Sequence, residues 1–327
     1  MSTRSIIHQE LSCPRWDPTS NNAERKKSMT TATKIAVIGL GAMGYGMAKS
    51  CLRAGHEVWG ADISPNPVER FRADGGQPGD IQDVAKTLDI VVVSVLNADQ
   101  TSAVLFGPDG VACSMKKGSV VIACATVAPD FAREMASRCN ERGLHYLDAP
   151  ISGGAAKSAK GQLSIMAAGS DEAFEVASPA LDAMAEIVFR LGDVGAGSAM
   201  KAVNQLLAGV HIAVMAEAMT FGMTQGVSPE KFLEVIPQCA GTSWMLENRG
   251  PHIAAGDYTP LSQVNIWPKD LGIVLDIARD AKFSAPLTAA ALQQFLAAAG
   301  MGLGGEDDAA VAKVYARNAS LNLPGEE

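Results

Sequence analysis

The 327-residue chain is long enough for two domains, each with its own hydrophobic core. Apolar side chains make up 47% of the sequence and charged side chains 19%, which excludes wholesale disorder. The formal net charge of −8 repels phosphate backbones and anionic headgroups, so we expect no nucleic acid and no membrane as a partner. The longest strongly apolar stretch without a charge, residues 202–216, is shorter than a membrane span.

The first 33 residues differ from the rest of the chain. They are polar and irregular, and they lack the apolar core of a secretory signal. We therefore predict that residues 1–33 form a disordered extension outside the fold. Met29 offers a second start of translation, and organelle targeting by the extension stays open.

The six cysteines indicate a reducing compartment. They show no CxxC pair and no metal-ligand spacing, so we expect them to be buried, reduced side chains. This predicts a cytoplasmic location, no disulfide and no metal site.

From Lys34 onward, short apolar runs alternate with helical stretches. The runs predict buried parallel strands at residues 35–38, 57–61, 90–95, 119–124, 144–147, 163–168 and 187–191. Strands that alternate with helices predict an α/β fold with a Rossmann-type doubly wound sheet, which we place at residues 34–194.

Residues 195–320 lack the strand pattern and predict an all-α domain that binds substrate. The stretch 198–225 is apolar on nearly all sides, so every face of this predicted helix needs a cover. A small helical domain supplies limited covering surface. We therefore expect a homodimer or homotetramer formed through this half.

A glycine-rich turn joins the first predicted strand to the first helix. It contains Gly39, Gly41, Ala42, Met43 and Gly44 in a GxGxxG pattern. This context predicts a cradle for the pyrophosphate of NAD at the helix N-terminus. Asp62 ends the next strand 18 residues after Gly44, where a carboxylate accepts hydrogen bonds from both ribose hydroxyls.

Four spaced motifs resemble the β-hydroxyacid dehydrogenase family, which includes 3-hydroxyisobutyrate, tartronate semialdehyde and L-threonate dehydrogenases. They are the glycine turn, Asp148-Ala149-Pro150-Ile151-Ser152-Gly153-Gly154, Gly195-Ala196-Gly197 with Lys201 and Asn204, and Lys269-Asp270-Leu271. The resemblance implies that Lys201 is catalytic, that Ser152, Gly153 and Gly154 hold the substrate carboxylate, and that Leu96, Asn97, Thr126 and Lys269 line the cofactor. Gln205 departs from the usual family pattern, in which a second asparagine follows Asn204. The stretch 205–212 looks most like the L-threonate branch.

The residue types suit the oxidation of a small hydroxy acid. On a helix, Lys201, Asn204 and Gln205 share one face, so an ammonium and two amides converge on one polar ligand. As a base, Lys201 needs a pKa lowered by burial. The two glycines after Ser152 leave backbone N–H groups free for an anion. Trp267 packs either on the nicotinamide or in the core.

Three other functions remain as alternatives. A 3-hydroxy acid is a second substrate class within the family. An imine reductase has the same architecture but generally lacks the lysine, so Lys201 argues against it. A non-catalytic dinucleotide-binding relative would lack the lysine and carry a basic extension, and neither feature is present.

Overall fold

The first half of the chain forms a five-stranded parallel sheet. A computed structural model describes residues 32–326. The strands are β1 (Lys34–Ile38), β2 (Glu57–Ala61), β3 (Ile90–Val93), β4 (Val120–Ala123) and β5 (His145–Asp148). Their order is β2-β1-β3-β4-β5, so the chain reverses its direction of winding beside β1. Ligands of open α/β sheets bind at such a switch point.

Helices cover both faces of this sheet. They are α1 (Gly44–Arg53), α2 (Pro65–Ala73), α3 (Ile81–Val84), α4 (Ala98–Phe106) and α5 (Pro129–Asn140), followed by α6 (Gly154–Lys160) and α7 (Asp171–Met184). Along β1, Ile35 and Val37 belong to the core beside α1 and α7, whereas Ala36 belongs to the core beside α4 and α5. Burial on both faces explains the continuous apolar runs. The predicted doubly wound sheet is confirmed.

A second, three-stranded sheet follows β5. It contains β6 (Ile151–Ser152), β7 (Leu163–Ala167) and β8 (Ala185–Arg190), with β6 antiparallel to β7. The sequence did not predict β6, because two residues carry no periodicity. The prediction that every strand is buried was also wrong for β8, where Ile187 and Phe189 are each 41% exposed. A bridge between Asp148 and Ala168 joins the two sheets.

The predicted extension falls mainly outside the described residues, which begin at residue 32. Thr33, its last residue, accepts a hydrogen bond from the backbone N–H of Glu57 at 3.1 Å. The ordered backbone of the sheet therefore reaches one residue before β1.

The second half consists of helices around one long central helix, which confirms the predicted all-α architecture. They are α8 (Ala196–Thr224), α9 (Pro229–Val235), α10 (Trp244–Ala255), α11 (Ile266–Asp280), α12 (Pro286–Ala298) and α13 (Ala312–Asn318). Each of the other five contacts α8.

Helices α8 and α11 approach closely at Gly209. A Cβ on Gly209 would lie 2.8 Å from Leu271 Cδ2 and 2.9 Å from Trp267 Cε3, so only glycine fits without a shift of these side chains. Trp267 is 3% exposed, stacks on Phe295 and donates from Nε1 to Asp308 at 2.9 Å. Of its two predicted roles, the structure shows the core one.

By length and composition alone, α8 is long and apolar enough to cross a membrane. The charge-free stretch 202–216 did not predict a helix long enough to cross a membrane, because α8 extends well beyond both ends of that stretch. A core helix of a soluble protein meets the same criterion. The other five helices of its half contact α8, although only 39% of its most apolar 18-residue window is buried.

Gly197 lies in the first turn of α8, where the helix meets the sheets. A Cβ there would lie 2.4 Å from Asp148 O and 2.5 Å from Met166 O, both backbone atoms. We expect Gly197→Ala to lower the free energy of unfolding by about 2–3 kcal/mol, because the helix must move away. Urea denaturation measures the change.

The matched control is Gly272→Ala in α11, where a Cβ would meet no atom within 4 Å. It should leave stability unchanged or raise it by up to about 1 kcal/mol through helix propensity. Equal stability of Gly197→Ala and the unchanged protein would contradict the contact.

Candidate active site

The glycine turn between β1 and α1 has the close backbone packing that a phosphate cradle requires. Gly39 has φ +94°, and a Cβ on it would lie 2.3 Å from the backbone oxygen of Ser94. A Cβ on Gly44 would lie 1.8 Å from the backbone oxygen of Gly39. A Cβ on Gly41, by contrast, would meet nothing within 4 Å, and Ala42 beside it is exposed. The open space at Gly41 and the N-terminus of α1 fits a pyrophosphate.

Asp62 lies directly after β2 and is tied to this turn. Its Oδ2 accepts from the backbone N–H of Leu40 at 2.7 Å, and its Oδ1 accepts from Ser64 N at 2.9 Å. Each carboxylate oxygen keeps acceptor capacity for a ribose hydroxyl. Met43, at the start of α1, is held through its backbone oxygen, which accepts from Ser158 Oγ at 2.6 Å.

Three more predicted cofactor residues follow the carboxyl ends of β3 and β4, and a fourth, Lys269, lies in α11. Leu96 is 54% exposed, and Asn97 caps α4 by accepting from the backbone N–H of Gln100. Thr126 follows β4 and is half-buried. Lys269 in α11 donates from Nζ to Leu96 O at 2.9 Å, so it links the helical half to the loop after β3.

Asp148 fixes the start of α8. Its Oδ2 accepts from the backbone N–H groups of Gly195 at 3.0 Å and Ser198 at 2.8 Å, and its Oδ1 accepts from Ser198 Oγ at 2.6 Å. Burial raises the pKa of Asp148, and the hydrogen bonds from Ser198 and Gly195 oppose this shift. The carboxylate satisfies N–H groups that a helix N-terminus otherwise leaves unpaired.

Lys201 lies about one turn beyond this anchor. Its side chain is buried, and Nζ donates to the backbone oxygen of Ile151 at 2.9 Å, next to Ser152. Burial lowers the pKa of Lys201 to about 8, the carboxylate of Asp270 acts against this, and the ammonium of Lys269 adds to it. Lys201 is therefore a buried amine that is half-protonated near pH 8 and still mostly an ammonium at pH 7.

The three residues after Ile151 form a small loop. Ser152 lies in β6, and Gly153 and Gly154 have φ +131° and +71°, a region that favours glycine. Gly154 is exposed, and a Cβ on it would meet nothing within 4 Å. The loop offers a hydroxyl and open backbone to an anion beside Lys201.

Asn204 and Gln205 occupy different depths. Asn204 is half-buried and donates from Nδ2 to Gln205 Oε1 at 2.9 Å. Gln205 is 7% exposed, and its Nε2 donates to Asp270 Oδ2. Asp270 in turn pairs through Oδ1 with Lys269 Nζ at 2.7 Å. Both the oxygen and the nitrogen of the Gln205 amide are thus hydrogen-bonded to protein side chains, whereas the sequence predicted that Gln205 contacts the substrate.

Asp148 and Asp270 were not among the predicted site residues, although both lie inside the recognised motifs. Each is almost fully buried. Asp148 holds the first turn of α8, the helix that carries Lys201, and Asp270 holds Gln205. For Asp148 the sequence does carry a signal, a lone carboxylate among apolar residues, because such a group needs hydrogen-bond partners when buried. Asp270 stands next to Lys269 and carries no such signal.

Among residues 32–326, no cysteine hydrogen-bonds to a residue of this site. Cys51, Cys124 and Cys139 are buried thiols, but Cys113 and Cys239 are exposed, so the prediction of burial was wrong for these two. Cys113 ends a three-residue 3₁₀ helix and Cys239 directly follows another, and a cysteine count does not locate such segments. Cys13 lies outside the described residues. Within residues 32–326, no group of three or more His, Cys, Asp or Glu side chains is placed to hold a metal ion.

Two family models match the chain in tandem. The NAD binding domain of 6-phosphogluconate dehydrogenase matches residues 34–192, and the NAD-binding domain of NADP-dependent 3-hydroxyisobutyrate dehydrogenase matches residues 195–315. Together with the glycine turn, these matches define an NAD-dependent oxidoreductase that acts on a CH–OH group.

Individual relatives narrow this class. The L-threonate dehydrogenase of Cupriavidus necator is 52% identical over 293 residues, 89% of this chain and 98% of that protein. The L-threonate dehydrogenase of Pectobacterium atrosepticum is 45% identical, over 88% of this chain and 95% of that protein. The crystal structure of 3-hydroxyisobutyrate dehydrogenase from Salmonella typhimurium has a TM-score of 0.81 at 45% identity, covering 86% and 99% of the two chains. The chain belongs to the β-hydroxyacid dehydrogenase family, as its motifs predicted.

Proposed function

We propose that this enzyme oxidises a short polyhydroxylated acid, similar to L-threonate, at its 2-hydroxyl. The product is the 2-oxo acid, NAD accepts the hydride, and Lys201 is the general acid/base. The observation that carries the proposal is a buried lysine beside the Ser152 loop and about one turn from Asn204. The L-threonate dehydrogenases that are 45% and 52% identical support the substrate class.

In the proposed reaction each group has one task. Ser152 Oγ–H and the backbone N–H groups of Gly153 and Gly154 hold the substrate carboxylate. Neutral Lys201 takes the proton of the hydroxyl, while Ile151 O keeps the amine in place. Bound NAD supplies the acceptor for the hydride that leaves the same carbon. In the reverse direction, the Lys201 ammonium returns the proton.

The substrate is tested with a panel of hydroxy acids of three to five carbons and NAD, read as absorbance of the reduced cofactor. We expect L-threonate to give the highest kcat/KM. The alternative is a 3-hydroxy acid, which is favoured by the solved 3-hydroxyisobutyrate dehydrogenase at 45% identity. A higher kcat/KM for 3-hydroxyisobutyrate would replace the proposal with this alternative.

Lys201→Ala removes the proposed base. We expect kcat to fall at least about 100-fold, because general acid–base catalysis contributes that much. Affinity for NAD should remain nearly unchanged, and the ionisation near pH 8 should disappear from the pH profile of kcat/KM. Lys86→Ala, an exposed lysine outside the site, is the control. Near-normal turnover of Lys201→Ala rejects the assignment.

Asp62 should make the enzyme prefer NAD to NADP. A 2′-phosphate at this position would meet a carboxylate of like sign, and Arg70 is engaged elsewhere, with its guanidinium carbon 3.9 Å from the Tyr45 ring centroid. We expect a preference of about 1–3 kcal/mol, roughly tenfold to a few hundredfold in kcat/KM.

Steady-state kinetics with both cofactors measure this preference, and Asp62→Ala should reduce it. Equal use of NAD and NADP by the unchanged enzyme, or an unchanged ratio in the variant, rejects Asp62 as the selecting residue.

We also propose that α8 joins two copies of the chain. Its exposed apolar side chains follow one stripe at heptad-like spacing: Met200, Val203, Leu207, Val214 and Phe221. These side chains are 45–66% exposed, although they belong to the central helix of the domain. A second α8 covers such a stripe by packing along it.

Leu207→Glu places a charge in the middle of this stripe. We expect the variant to be a monomer of 34.0 kDa by light scattering at micromolar concentration, whereas the unchanged chain is a dimer or larger. Leu261→Glu is the matched control, because Leu261 is 55% exposed and lies outside the stripe. A monomeric unchanged protein contradicts the proposal.

A further inference from the structure

We propose that Asp270 and Gln205 form a buried relay that orients the side-chain amide of Asn204, so that its carbonyl oxygen faces the substrate. The relay would select hydroxy acids that carry a further hydroxyl beside the reacting carbon. The inference rests on the proposed function of the site. It assigns positioning roles to Asp270 and Gln205, neither of which needs to touch the substrate.

The direction of the relay follows from the chemistry of a carboxylate. Asp270 is 2% exposed and paired with Lys269 at 2.7 Å, and an ionised carboxylate only accepts hydrogen bonds. The group of Gln205 that meets Asp270 Oδ2 is therefore its NH₂ group. The reverse orientation would place two acceptors against each other in a buried site, which is costly.

This orientation passes to Asn204. Since the Gln205 nitrogen is used by Asp270, its Oε1 faces Asn204 and accepts from Nδ2 at 2.9 Å. One N–H of Asn204 is thereby used, and its Oδ1 is left as an acceptor. A freely rotating amide could present either its oxygen or its NH₂ group to a ligand. The orientation of the Asn204 amide is instead fixed by the carboxylate of Asp270, acting through Gln205.

An acceptor at Asn204 matches a hydroxyl and repels a carboxylate oxygen. The Ser152 loop is the proposed carboxylate site and Lys201 receives the proton of the reacting hydroxyl, so Asn204 Oδ1 is assigned to a neighbouring hydroxyl. A substrate without that hydroxyl leaves a polar group unpaired in a closed site, and such sites reject the deoxy analogue strongly.

Packing keeps the relay rigid. The close approach of α8 and α11 at Gly209 holds Asp270 of α11 against Gln205 of α8. Gln205 lies about one turn before Gly209. Lys269, next to Asp270, also donates to Leu96 O in the cofactor-binding half. Asp270, the end of the relay farthest from Asn204, is thus held by α11 and, through Lys269, by the loop after β3.

The first experiment compares L-threonate with its 3-deoxy analogue, 2,4-dihydroxybutanoate of the same configuration at C2. We expect the unchanged enzyme to favour L-threonate by about 100-fold or more in kcat/KM. Gln205→Leu keeps the volume but removes the relay, and the preference should fall at least about tenfold. Gln293→Leu, an exposed glutamine of α12, should keep the preference within about twofold.

The second experiment restores the acceptor. In Gln205→Glu, a carboxyl oxygen accepts from Asn204 Nδ2 whether or not the side chain is protonated. The substrate preference should therefore stay within about threefold of that of the unchanged enzyme, although Gln205→Leu loses it. The comparison is made at about pH 6, where a proton shared between the Glu side chain and Asp270 is favoured because two facing carboxylates repel each other.

The outcomes separate the relay from the proposed function. If no hydroxy acid is oxidised, or if Lys201→Ala turns over normally, the proposed function fails. If the unchanged enzyme oxidises L-threonate but does not discriminate against the 3-deoxy analogue, the relay alone is overturned. An unchanged preference in Gln205→Leu, or a preference in Gln205→Glu that is lost as fully as in Gln205→Leu, overturns it as well.

Discussion

The whole site depends on the attachment of one helix end to one buried carboxylate. Asp148 ends β5 and accepts hydrogen bonds from Gly195 and Ser198, so α8 starts at the same edge of the sheet as the glycine turn and the loops that follow β3 and β4. Lys201 then follows at a fixed rotation and rise along the helix. Because the helix is rigid, this single attachment brings groups from the two halves of the chain into register with each other.

Opposing effects act on the pKa of Lys201. Burial alone would favour the neutral amine strongly, and Lys269 acts in the same direction, but the carboxylate of Asp270 favours the ammonium. The result is a pKa of about 8, which allows the same side chain to take up and to release a proton. Asp270 therefore influences the site in two ways, through the charge on Lys201 and through its hydrogen bond with Gln205.

Patterns that repeat along the chain were readable in the sequence, and single contacts were not. The alternation of apolar runs and helices predicted the sheet, and the glycines of the turn predicted the cradle, because these features are local. The strand β6 was missed because it is two residues long, and its partner β7 lies 11 residues further on. The burial of Gln205 and its contact with Asp270 depend on how α8 and α11 cross, which no local pattern contains.

The missing side chain at Gly209 has a consequence for substrate selection. It keeps the axes of α8 and α11 close, and a hydrogen bond such as that from Gln205 to Asp270 tolerates only a few tenths of an ångström of separation. A larger residue there would push the axes apart without touching Lys201, which lies about two turns away. Helix spacing would therefore alter which acids fit the proposed relay while the chemistry at Lys201 is kept.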